Sequence, residues 1–166
     1  MEICVTENLG LPQSTMPASC SELSQRDQRS LVFQLLYAMD ASEYESSLES
    51  IAENFSREYG CLIFPHDQVF ITARSVISSR EIVDEEIKKL LANWRFERLG
   101  MITRLLMRYA LWELMYTDTP ASVVINEAVE LAKGFAEDNA FRFVNGLLDE
   151  WCKQNERIVS CTEVVD

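Results

Sequence analysis

Between Leu99 and Tyr116 the sequence runs LGMITRLLMRYALWELMY, apolar around nearly the whole circumference of a helix and broken mainly by Thr103, Arg104, Arg108 and Glu113. A helix with one apolar stripe can lie on a surface, whereas one that is apolar on almost every side needs neighbours on several sides. This segment therefore has to be the buried centre of an all-α domain, and the other elements have to be read as its packing partners. Arg104 and Arg108 lie one turn apart on its polar strip, either as salt-bridge partners or as side chains snorkelling to the surface.

The flanking segments supply such partners. In SQRDQRSLVFQLLYAMDAS, Ser24 with Asp27 three residues on forms an N-cap signature, and Val32, Leu35, Leu36 and Met39 recur at helical spacing, which predicts a helix over 25–40. SSLESIAENFSREYG repeats the pattern with Leu48, Ile51, Ala52, Phe55 and Tyr59, and Gly60 supplies a left-handed stop. FPHDQVFITARSVISS places Pro65 at a first helical position, followed by Val69, Phe70, Ala73, Val76 and Ile77. In SREIVDEEIKKLLANW the acids Glu85 and Glu86 precede Lys88 and Lys89, an order that suits the macrodipole and i,i+4 pairing on a solvated face.

Beyond the central helix, TPASVVINEAVELAKGF reads as capped by Thr119, with Pro120 at the first helical position and Ile125, Ala128, Val129, Ala132 and Phe135 on one face. AFRFVNGLLDEWCKQ closes the series with Phe143, Leu147, Leu148 and Trp151. Seven helices result, expected within one domain over 23–154. An N-terminal arm, 1–22, has no period and reads as disordered or as ordered only against a partner, and a polar acidic tail covers 155–166.

Five glycines and four prolines in 166 residues leave little loop, and 48% hydrophobic with 25% charged residues is the balance of a soluble globular chain. No apolar run approaches the ~20 residues of a membrane span. MEICVTENLGLPQS has neither the basic nor the apolar region of a signal peptide, so a cytoplasmic location is expected. Cys4, Cys20, Cys61, Cys152 and Cys161 are odd in number and contain no Cys-x-x-Cys pair, and they read as reduced thiols. His66, the single histidine, reads as a surface or N-terminal-turn residue rather than a catalytic base. There is no Gly-x-Gly-x-x-Gly, P-loop or His-Glu-x-x-His, so neither catalysis nor a cofactor or metal is expected. A net charge of -12 opposes nucleic acid on average, because Lys and Arg on phosphates supply most nonspecific affinity. The acid is concentrated in DASEYESSLES and EIVDEE, however, while SQRDQRS and NWRFERLGMITRLLMR hold many of the arginines, which leaves room for a local basic face.

NWRFERLG, MRYALWELMYTDTPASVVINEAVELAKGF and FRFVNGLLDEW together resemble the signature of the NusB family of bacterial transcription antitermination factors, over about Asn93 to Trp151. RSLVFQLLYAMD extends the resemblance through Arg29, Gln34, Leu36 and Tyr37, similar to the family's Arg-x-x-x-x-Gln-x-Leu-Tyr pattern. The resemblance implies an all-α fold of two small helical bundles without enzymatic activity. It also implies partners: NusE, a small-subunit ribosomal protein, the boxA element of ribosomal RNA leaders as single-stranded RNA, and the transcription elongation complex. By position, RNA contacts fall to Arg26, Arg29, Gln34, Tyr37 and Phe143, with arginines on phosphates and rings offered to unpaired bases. Tyr37 and Phe143 also lie close to apolar stripes, where core packing competes with stacking. Glu97, Arg104 and Asp138 match polar positions of the NusE-facing surface. Relatives imply either a monomer or a homodimer that buries the RNA face.

The sequence departs from the family in SCSELSQRDQRS, which offers two arginines with Asp27 between them where members often carry a denser basic run. Weak intrinsic RNA binding, completed by a basic partner, is the expected consequence. Two other readings stay open: an interaction module that keeps the fold without RNA binding, and an accessory domain of a ribosomal-RNA cytosine methyltransferase.

Overall fold

The computed structural model describes residues 18–157. The expectations for residues 1–17 and 158–166, including Cys4 and Cys161, lie outside the described residues. Within them the protein is all-α: α1 (Gln25–Ala41), α2 (Leu48–Tyr59), α3 (Gln68–Ser78), α4 (Arg80–Leu90), α5 (Met101–Tyr116), α6 (Ala121–Phe135) and α7 (Ala140–Gln154). The chain divides into two compact units between Ala73 and Arg74, inside α3. No helix among the described residues is long and apolar enough to cross a membrane.

In the first unit α1 packs on α2. The start of α1 follows the sequence: the Ser24 hydroxyl accepts from the Asp27 amide at 3.1 Å and donates to the Asp27 carboxylate at 2.6 Å. Leu31, Val32, Leu35, Leu36 and Met39 are buried along the helix. Ser47 caps α2 by accepting from the Ser50 amide at 3.2 Å, and Gly60 ends it with a left-handed φ of 64°.

Two expectations are corrected in this unit. The arm read as disordered over 1–22 is ordered from residue 18: β1 (Ala18–Ser19) pairs in parallel with β2 (Cys61–Leu62), and a short 3-10 turn, Cys20–Glu22, follows. The reason is a non-local anchor, because Cys20 is fully buried and its thiol donates to the Asp67 carboxylate at 3.2 Å. Pro65, expected to open a helix, lies in a turn closed by the Asp67 amide on the Phe64 carbonyl at 2.9 Å. The Asp67 carboxylate accepts the Phe64 amide at 2.7 Å, and its carbonyl takes the first helical bond, from Ile71, so α3 starts later at Gln68. His66 is exposed and stacks on Phe64, with ring centroids 5.4 Å apart.

In the second unit α5 is the central helix, packed against α4, α6 and α7, and α6 pairs with α7. Leu105, Leu106, Met107, Leu111 and Leu114 are buried, as an all-round apolar helix requires. Arg108 makes a two-pronged ion pair with Asp84 of α4, which decides in favour of the salt-bridge reading of that residue. Trp151 of α7 donates to Glu86 of α4 at 3.4 Å. Arg157 donates to the Leu114 and Thr117 carbonyls at 2.6 and 2.9 Å, where cations favour a helix end, so the part of the tail from 155 to 157 packs against the C-terminus of α5.

Two local readings change here as well. Lys88 and Lys89 pair with Glu85 and Glu86 at i,i+3 rather than i,i+4. Pro120, not Thr119, is the N-cap of α6: its carbonyl accepts from Val123 and Val124 at 2.9 and 3.1 Å, while the Thr119 hydroxyl is held by that of Thr117 at 2.9 Å.

Candidate nucleic-acid interface

A helix brings residues three, four and eleven apart onto one side, and α1 does this for Arg26, Arg29 and Tyr37. Arg26 is exposed at the first turn, and Arg29 and Tyr37 are half-buried. The positive end of the helix lies at the same place and adds to the arginines in favour of an anion. Asp27 has its carboxylate bonded to the capping hydroxyl of Ser24. Gln34 is 7% exposed, so its amide belongs to the interior of the unit rather than to its surface.

Phe143, Glu97, Arg104 and Asp138 belong to the second unit. Phe143 is half-buried on α7, and its ring lies 6.2 Å from that of Trp94 at an interplanar angle of 52°. Trp94 is 62% exposed. With Asn93, Arg95 and Arg98 it lines an open cavity of about 310 Å³. Glu97 is exposed on the short 3-10 turn Phe96–Arg98, and Arg104 is half-buried one helical turn into α5. Phe96 connects these two positions: Lys88, Arg104 and Arg108 approach its ring at 5.5, 5.9 and 6.0 Å, three cation–π contacts from two helices. The bond from Lys88 to Glu85 pushes the lysine pKa up and keeps the ammonium charged there. Asp138 lies exposed in the turn between α6 and α7.

Sequence reasoning missed the aromatic residues beside these positions. Phe141 has Lys133 and Arg142 at 5.6 and 5.7 Å from its ring, and Trp94 and Phe96 are the aromatic half of the run WRFER. The interleaving of rings and cations in NWRFERLG was the available signal, since stacking faces next to cations are what a single-stranded nucleic acid requires. The described cysteines are free and buried, and burial followed by the Asp67 hydrogen bond pushes the Cys20 thiol up to about 12. Among the described residues no group of His, Cys, Asp and Glu is arranged to hold a metal ion.

The profile of the NusB family matches residues 26–153. The transcription antitermination protein NusB of Macrococcus caseolyticus is 34% identical over 131 residues, covering 79% of this chain and 98% of that protein. NusB of Nitratiruptor sp. is 38% identical over 133 residues, 76% of this chain and 89% of its own length. Among solved structures, T. maritima NusB superposes with a TM-score of 0.68 at 29% identity, covering 80% of this chain and 92% of that one. A chain from the crystal structure of a plectonemic RNA supercoil has the same fold, with a TM-score of 0.68 at 22% identity and coverage of 80% and 96%. With a family match across most of its length and relatives of this identity, the chain belongs to the NusB family of transcription antitermination proteins.

Proposed function

We propose that this transcription antitermination factor acts in the cytoplasm on the boxA-type leader of ribosomal RNA, together with a NusE-type ribosomal protein and the elongation complex. The observation that carries the reading is the placement of Arg26 and Arg29 in the first turns of α1, where the helix is positive, with Tyr37 further along the same side. On this reading the two arginines take phosphates, Tyr37 and Phe143 take bases, and Glu97, Arg104 and Asp138 face the NusE-type partner. Gln34, being buried, shapes α1 from within. A homodimer through the same face would compete with RNA.

The chain's own charge of -12 argues for a two-component grip. The partner supplies the cations that this sequence lacks and raises the effective concentration of RNA at the remaining arginines. No catalytic step is needed. That the relatives at this identity are transcription antitermination proteins supports this reading over that of a methyltransferase accessory domain.

The test is assembly of the complex on leader RNA by the wild type and by Arg26→Ala/Arg29→Ala. Loss of two phosphate contacts should lower the log–log salt slope by about 1.4 and weaken the complex. An unchanged complex would leave the chain as an interaction module of the same fold that does not grip RNA.

A further inference from the structure

We infer that Trp94, with Arg95 and Arg98, forms a second RNA subsite: the indole stacks on one unpaired base and the two guanidinium groups hold the adjoining phosphates. This deepens the reading above and rests on it. The local chain explains the arrangement. A 3-10 turn has three residues per turn, so Arg95 and Arg98 fall on the same side while Glu97 is rotated away, and both arginines line the cavity of about 310 Å³ with Trp94. Phe96 faces the cations of α4 and α5 instead. Among the described residues neither Arg95 nor Arg98 has an ion-pair partner, in a chain whose acids outnumber its bases 27 to 15. Unneutralised guanidinium groups beside an indole that is 62% exposed fit an anion joined to an aromatic group, the chemistry of a nucleotide.

The ring geometry sets how a base is taken. Insertion between Trp94 and Phe143 would need parallel rings about 7–8 Å apart, two contacts of van der Waals length. Their centroids are 6.2 Å apart and the planes are inclined by 52°, so no base enters between the two rings, and the base of this subsite stacks on the solvent side of the indole. The occupant is thus single-stranded RNA, whose unstacked bases every aromatic face accepts and whose phosphates the arginines reach.

The test is binding of single-stranded boxA-type leader RNA to the full chain with its NusE-type partner. Trp94→Ala should lower affinity roughly 5- to 100-fold, and Trp94→Phe, which keeps a ring, should stay close to the wild type. Arg95→Ala/Arg98→Ala should reduce the log–log salt slope by about 1.4. If Trp94→Ala destabilises the fold, the arginine variant carries the test alone, and an unchanged slope overturns the inference. If these variants bind RNA as the wild type does while Arg26→Ala/Arg29→Ala does not, the subsite is wrong and the proposed function stands. Weakened binding of the NusE-type protein in the absence of RNA would make this a protein surface and overturn the inference. A wild type that binds no RNA with its partner present overturns both readings.

Discussion

Arg108 grips Asp84 with two bonds, Nε to Oδ1 at 2.6 Å and Nη2 to Oδ2 at 2.7 Å, joining α5 to α4. The side chains are 9% and 15% exposed, so removing one partner leaves the other charged and poorly solvated. Arg108→Ala and Asp84→Ala should each cost about 3 kcal/mol in urea unfolding, and replacing both by apolar residues of similar volume should cost less than the two single losses combined. Single losses below about 1 kcal/mol would mean that the pair behaves as an exposed bridge.

Cys20 should make stability depend on alkaline pH. Its thiol is pushed up to about 12 by burial and by the Asp67 carboxylate, whereas an unfolded cysteine ionises near 8.5. Because the folded value is the raised one, the stabilisation is fully present below about pH 8.5 and is lost as pH rises toward 12. Cys20→Ser keeps a donor for Asp67 without titrating in this range, so the decline between pH 8.5 and 10.5 should flatten by about 2 kcal/mol. Equal slopes for the two proteins in urea unfolding across that range would contradict this.

The helices were legible because their signals are local. Apolar residues three and four apart, the Ser24–Asp27 cap and the Gly60 stop each act within a turn or two, and the structure keeps all three. The misreadings share a different cause. Residues 18–22 are ordered by Cys61 and Asp67, which lie far along the chain, and Asp67 takes the helix entry from Pro65 through its bonds to Phe64 and Cys20. At the candidate interface the helical spacing of Arg26, Arg29 and Tyr37 could be read from the sequence, while the burial of Gln34 could not. The pairing of Trp94 with Phe143 could not, because α7 brings the second ring to a loop that precedes α5.

Gly60 isolates a backbone effect. Its φ is 64°, and a Cβ added there would meet no atom within 4 Å, so Gly60→Ala meets strain without a clash. A loss of about 1 kcal/mol is expected, with a smaller loss for Gly60→Asn, which tolerates the left-handed region. Equal stability of Gly60→Ala and wild type in urea unfolding would show that α2 can end without this conformation.

Affinity for a boxA-type leader RNA, measured for the chain alone and with its cognate NusE-type protein at two salt concentrations, tests the central claim most directly. Few arginines on α1 and a net charge of -12 predict weak binding alone, a sharp gain with the partner, and a fall with added salt. Binding of the protein partner with no RNA affinity in either case would contradict the account and leave a NusB fold that serves protein interaction only.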